Sequence, residues 1–166
     1  MSQKEKIHMH AFRGAIIRPT LRHIGLYSYQ AEVLLAGTLA QESDCFHTRY
    51  QDNGGPARGY YQMEPETHRD IWNNFLRSRE ELADKIKIYL PNYIKTEKER
   101  FHYLPHSDRY ATAMARIHYV RKKEALPRAD NVKALASYWK RHYNTYKGDG
   151  TEHEFIQHFY RCVRGS

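Results

Sequence analysis

The stretch Ser28–Thr67, SYQAEVLLAGTLAQESDCFHTRYQDNGGPARGYYQMEPET, decides how the rest of the chain is read. Its first half is apolar on nearly every helical face: Ala31, Val33, Leu34, Leu35, Ala36, Leu39 and Ala40, with Gly37 among them. A helix without a polar stripe must be buried on most sides. Ser28 is a good N-cap, so this helix is expected over about residues 29–42. Its polar residues, Gln41, Glu42, Ser43 and Asp44, gather at the C-terminal end. The helix thereby delivers one carboxylate, Glu42, to the edge of a different kind of segment. Residues 45–62 have no 3.6 period, and Asp52-Asn53-Gly54-Gly55-Pro56 is a dense turn signal flanked by Phe46, Tyr50, Tyr60 and Tyr61. A small β-hairpin lobe is expected there.

Downstream, Pro65 suits the first turn of a helix over about 65–75. Ser78-Arg79-Glu80-Glu81 reads as a capping box for a helix to about Leu90. Residues 91–106 show no clear period. Ser107 or Asp108 is expected to cap a helix over about 108–122, and Asp130 or Asn131 one that runs to about Tyr143. A turn follows over 144–150. Thr151-Glu152-His153-Glu154 is a second capping box, for a helix over 152–163. Upstream, residues 1–7 are polar and expected to fray, weak periodicity suggests a helix over 8–17, and Pro19 opens a short helix that Gly25 ends. Residues 164–166 are expected to be disordered. The fold class that follows is mainly α, in an α+β arrangement: one domain over 1–166, helices around a central buried helix, and one small β-hairpin lobe.

The formal charge is +8 over 166 residues, an excess that favours an anionic partner. The basic residues are spread out, with Arg121-Lys122-Lys123 the densest run. No helix masses Lys and Arg on one face with base-reading residues, so no nucleic-acid partner is expected. Fourteen tyrosines suit half-exposed clefts, because the ring can be buried while the hydroxyl stays wet. No apolar run approaches the roughly 20 residues of a membrane span, and MSQKEKIHMHAF lacks the apolar core of a signal peptide. Cys45 and Cys162 are far apart and are expected to be reduced thiols, with a single disulfide between them as the open alternative. The eleven histidines contain no His-Glu-x-x-His and no zinc spacing, so neither a metal nor a cofactor is expected. There is no nucleophile elbow at Ser43 and no phosphate loop.

Glu42 is the sharpest chemical candidate. The negative end of a helix dipole and apolar surroundings both disfavour a carboxylate, and both raise its pKa toward what a general acid near neutral pH needs. Most glycosidase schemes require a second carboxylate. Asp52, on the turn segment, is the first choice, with Asp44 and Glu64 as alternatives.

Ala40-Gln41-Glu42-Ser43, followed by Gly59-Tyr60-Tyr61-Gln62-Met63-Glu64-Pro65-Glu66-Thr67, resembles the lysozyme-like superfamily, in particular goose-type lysozymes and soluble lytic transglycosylases. Tyr138-Trp139-Lys140-Arg141-His142-Tyr143-Asn144-Thr145 is similar to that family's distal Tyr-Asn segment, and the whole looks most like small bacteriophage proteins with this domain. The resemblance implies cleavage of the β-1,4 bond between N-acetylmuramic acid and N-acetylglucosamine in peptidoglycan, with Glu42 as the catalytic acid. It implies that Tyr61 and Gln62 line the glycan cleft and that Tyr143 and Asn144 stand on its far side. Ser43, next to the acid, and Tyr60 join them as substrate-binding candidates. It also implies other phage virion proteins as partners, and a place in the virion or in the host cytoplasm with later access to the wall. Two departures stand out: the family's Gly-Leu-Met-Gln is Gly-Tyr-Tyr-Gln here, and Glu64 is an extra acid that Arg58 can pair. Two mechanisms stay open, a hydrolase using Glu42 with Asp52, and a transglycosylase using Glu42 as acid and base. A catalytically silent virion protein of the same fold and a basic nucleic-acid-binding protein are the competing readings.

Overall fold

The computed structural model describes residues 2–144 and 148–166. Helix α1 spans Ser2–Phe12 and continues through a π-helical turn, Arg13–Ile17, into α2, Arg18–His23. Residues 2–7 are therefore not frayed. From Ser2 on they are helical, with Met9 and Phe12 in the core, and Glu5 takes hydrogen bonds from Arg161 Nε at 2.9 Å and His47 at 3.0 Å. At the other end, Ser166 is tied down as well: Arg13 Nη1 donates to its carbonyl and its hydroxyl at 3.2 and 3.0 Å.

The central helix α3 is Tyr29–Ser43, and the Ser28 hydroxyl accepts from the Ala31 N–H at 3.0 Å. Every residue from Ala31 to Ala40 is buried. Burial of Leu34, Leu35 and Leu39 alone stabilises the fold by about 1.5–3 kcal/mol each. Helices α7 (Asp108–Val120), α8 (Val132–Trp139) and α9 (Glu152–His158) pack around it, together with the segment Phe159–Val163 that extends α9. Gly37 is what lets α9 come so close: a Cβ there would lie 2.6 Å from Cζ of Phe155.

The apolar pattern conceals one acid. Glu32, in the first turn of α3, is fully buried and takes hydrogen bonds from Arg13 Nε (2.8 Å), Arg18 Nε and Nη2 (3.0 Å each) and Tyr27 (2.9 Å). Burial pushes its pKa up, but the two guanidinium partners pull harder and hold the carboxyl below its ordinary range.

The expected β-hairpin does not form. Among the described residues there are only two isolated bridges, Tyr50 with Arg58 and Arg58 with Met63. Asp52–Gly54 makes a 3-10 turn with Asn53 in left-handed backbone, and Pro56 lies between the bridged positions. With turn residues this dense, neither flank is long enough to build a ladder. The lobe is held by single bonds: Gly59 N–H to Arg49 O at 2.7 Å, Ala57 N–H to Gln51 Oε1 at 2.9 Å, and Arg49 to Asp108 at 3.0 Å.

Beyond the lobe, α4 (Pro65–Asp70) runs through Ile71–Phe75 into a 3-10 turn, Leu76–Ser78, and α5 is Glu80–Lys87. The capping box expected at Ser78 is absent, because Ser78 still belongs to the preceding turn and Arg79 caps α5 without a side-chain bond. A capping box forms instead at Thr96 and Glu99, opening α6 (Glu97–His102) within the stretch that showed no period. The one at Thr151 and Glu154 forms as expected, and Ser107 and Asn131 cap α7 and α8.

Under α4, Trp72 Nε1 donates to Tyr110 Oη at 2.8 Å, and Tyr110 Oη meets His68 Nε2 at 2.7 Å. The indole can only donate, so the phenol proton must go to His68 Nε2. Burial, with Arg100 adding, drops the His68 pKa to about 3. His68 is thus neutral, with its proton on Nδ1, donating to Glu97 at 2.9 Å. That contact is a hydrogen bond between a neutral ring and a carboxylate, not an ion pair.

The cysteines are not reduced thiols. Cys45, just past α3, and Cys162 form a disulfide with Cα atoms 6.3 Å apart, well within bridging distance. The partners are 117 residues apart, so no local spacing announces them. Among the described residues no helix is long and apolar enough to cross a membrane.

Candidate functional site

Helix α3 stops one residue after Glu42, and the stop is strongly enforced. Asp44, Cys45 and Phe46 all take positive φ, at 51°, 53° and 75°. Three non-glycine residues in left-handed backbone cost about 1–2 kcal/mol each. The surroundings hold them there. The Ser43 hydroxyl donates to Leu39 O at 2.6 Å and accepts from the Phe46 N–H at 2.9 Å, while its carbonyl takes the His47 and Thr48 N–H groups. Cys45 is bonded to Cys162, and Asp44 accepts from Arg161 at 2.6 Å and His158 at 3.2 Å. Ser43 is fully buried in this turn, which corrects its assignment to substrate. Asp44 faces the C-terminal helix and does not line the cleft, so it drops out as the second carboxylate.

The sharp stop leaves Glu42 at the inner edge of a cleft of about 640 Å³. One wall is Thr48, Gln51, Asp52 and Asn53 from the lobe, and the other is Tyr143, Asn144 and Gly148–Gly150. Glu42 is half-buried, and its Oε2 accepts from Trp139 Nε1 at 2.9 Å. The carboxyl keeps contact with water only through the cleft, and protein crowds its other sides. That desolvation pushes its pKa up to about 8; the Trp139 N–H and Lys140 pull against it, and the charge of Glu64 adds to it. At neutral pH Glu42 is predominantly protonated.

The other expected site residues divide. Asp52 lines the cleft but is exposed on its 3-10 turn. Glu64 lines it too. Its pKa is raised by crowding and by Glu66, and its carboxyl has no hydrogen bond or ion pair among the described residues. The pairing with Arg58 does not occur, because that guanidinium donates to the Gly55 and Ala57 carbonyls, at 2.8 Å each. Gln62 lines the cleft in left-handed backbone, with Nε2 bonded to Gly59 O at 3.0 Å. Tyr143 and Asn144 form the opposite side.

Tyr60 and Tyr61 do not offer ring faces to the cleft. Tyr60 is buried against Phe12 and Phe46 under the Arg49 guanidinium, which lies 3.9 Å above its ring. Tyr61 is buried with its hydroxyl 2.8 Å from that of Thr112. The doubled aromatic therefore anchors the lobe to the helical body. Its link to the site runs through the Tyr61 carbonyl, which accepts from the Tyr143 hydroxyl at 2.6 Å. Thr145, last in the similar distal segment, lies outside the described residues, as does part of the expected turn over 144–150.

Trp139 and Lys140 were missed in the sequence. Trp139 reads as one more apolar position of α8, yet a buried indole needs an acceptor, and the acceptor is Glu42. Lys140 Nζ donates to Asn144 Oδ1 (2.7 Å), Gly148 O (3.1 Å) and Gly150 O (2.6 Å), joining the parts of the distal wall. Among the described residues no group of three or more His, Cys, Asp or Glu side chains is placed to hold a metal.

Comparison of the chain with protein-family models, with curated proteins and with solved structures finds no match.

Proposed function

We propose that this protein cleaves the β-1,4 bond between N-acetylmuramic acid and N-acetylglucosamine in peptidoglycan, with Glu42 as general acid, and that it serves a bacteriophage in opening the cell wall. The observation that carries this reading is a carboxyl kept protonated near neutral pH beside a cleft of about 640 Å³. A general acid is most effective when its pKa lies near the working pH. The order of Glu-Ser, Gly-Tyr-Tyr-Gln and Tyr-Asn along the chain, similar to the lysozyme-like superfamily, supplies the substrate class.

In this mechanism Glu42 gives its proton to the glycosidic oxygen as the bond from that oxygen to the anomeric carbon breaks. The electron pair leaves with the oxygen, and the anomeric carbon takes on oxocarbenium character. Glu42, now a carboxylate, accepts a proton from the incoming hydroxyl and is restored. The nucleophile is either water or the sugar's own hydroxyl, which closes an anhydro ring. Asp52 is exposed, while Glu42 has the strongly raised pKa among the cleft carboxyls; this favours the one-carboxylate, transglycosylase route. The net positive charge draws the protein toward acidic wall polymers.

Mass spectrometry of peptidoglycan incubated with the protein tests this. Muropeptides with anhydro ends are expected. Reducing ends would assign the step to water and give Asp52 a role. The absence of any released muropeptide would leave a binding protein without catalysis.

A further inference from the structure

We propose that Trp139 is a positioning residue that gives the two oxygens of Glu42 different tasks: Oε2 is the fixed acceptor, and Oε1 carries the proton that is transferred. This rests on the reading of Glu42 as the general acid and deepens it. The argument starts from the indole, which has one N–H and no acceptor. Trp139 is fully buried, so that N–H has no water to turn to, and it lies 2.9 Å from Glu42 Oε2. Among the described residues Oε1 makes no hydrogen bond with the protein.

A neutral carboxyl has one carbonyl oxygen and one hydroxyl, and the carbonyl oxygen is the better acceptor. A proton on Oε2 would set the weaker acceptor against an indole that cannot turn away. It would also leave the unanchored oxygen with nothing to give. The proton therefore sits on Oε1. Once it is transferred, the N–H to Oε2 contact becomes charge-assisted and stronger, so the same bond favours the state that proton transfer produces.

The ring is held well enough to serve this purpose. It packs on Phe155 at 5.4 Å between centroids, and Gly150 fits against its edge so closely that a Cβ would lie 2.7 Å from Cη2. The charged and titratable groups around Glu42 are Glu64, which favours its neutral form, and Lys140, which opposes that. The Tyr119 and Tyr143 phenols stay neutral, their pKa values raised by burial, and Asp52, Asp149 and Glu154 line the same cleft. None of the carboxylates can donate the bond that Trp139 supplies.

Trp139→Phe keeps most of the ring and deletes the N–H. Gly150→Ala keeps the N–H and displaces the ring edge, and it carries the test if the first variant does not fold. Two readouts are taken in wild type and variants: titration of the Glu42 side-chain carboxyl by carbon NMR, and kcat and KM for release of muropeptides. The titration midpoint is expected to rise in both variants, with the alkaline limb of the pH profile following it. The kcat is expected to fall about 10- to 100-fold, as for a misplaced catalytic group, with KM within about twofold. An unchanged Glu42 midpoint in a folded variant overturns the assignment. If wild type releases nothing, the enzymatic reading fails, and the titration alone decides whether Trp139 anchors the carboxyl: a raised midpoint upholds the Nε1–Oε2 bond as the anchor that leaves Oε1 to carry the proton, and an unmoved one refutes it.

Discussion

Replacing Glu42 by Gln should stabilise the protein, and increasingly so as pH rises. The folded-state pKa of about 8 lies above the ordinary 4.5. A raised carboxyl pKa means that the folded state holds its proton more tightly than the unfolded chain does. The stabilisation from that proton is complete below pH 4.5 and is lost as pH climbs toward 8. Carried through proton linkage, the loss is about 1 kcal/mol at pH 5, about 3 kcal/mol at pH 7 and about 5 kcal/mol at pH 9. These are upper bounds, because the cleft lets water reach one side of the carboxyl. Gln is close in shape, its carbonyl can accept from Trp139, and it has no proton to lose. The assay is urea unfolding of wild type and Glu42→Gln at pH 5, 7 and 9. The gap in unfolding free energy should widen toward the alkaline end. A gap independent of pH would refute a desolvated acid at this position, whatever the protein's activity.

Other perturbations test other parts of the account. Glu64→Gln removes the negative charge that raises Glu42, so the Glu42 titration midpoint should fall; an NMR titration reads this directly. Tyr110→Phe strips the partner from two buried groups, Trp72 Nε1 and His68 Nε2, and should cost about 2–4 kcal/mol in chemical denaturation. Opening the Cys45–Cys162 bond, by reductant or by a double Ser substitution, releases a crosslink between residues 117 apart and should cost about 4–5 kcal/mol. Because Cys45 lies in the turn that ends α3, amide exchange at residues 43–48 should accelerate in the opened form.

The helices were largely legible in the sequence because their signals are local. Ser28, Ser107, Asn131 and Thr151 each cap where their side chains suggest. Glu42 was legible for the same reason: it is the acid at the end of a helix with no polar stripe. What the sequence hid is set by tertiary contact. The disulfide joins distant segments, and Glu32 looks like a surface acid until Arg13 and Arg18 arrive from another helix. Tyr60 and Tyr61 suit a wet cleft by residue type, but Arg49 and Thr112 draw them into the body of the protein. The expected hairpin failed because the same turn residues that suggested it also break its strands. Thr96 and Glu99 were readable as a capping box but lay in a stretch without apolar period.

The central claim is that Glu42 is a protonated acid that breaks glycan strands, and one comparison tests it most directly. Purified wild type and Glu42→Gln, both shown to be folded, are added at neutral pH to a suspension of peptidoglycan, and released muropeptides are followed over time. Release by wild type and none above background from the variant is the result this account requires. Equal release from both would contradict it, because an amide at position 42 has no proton to give the leaving oxygen.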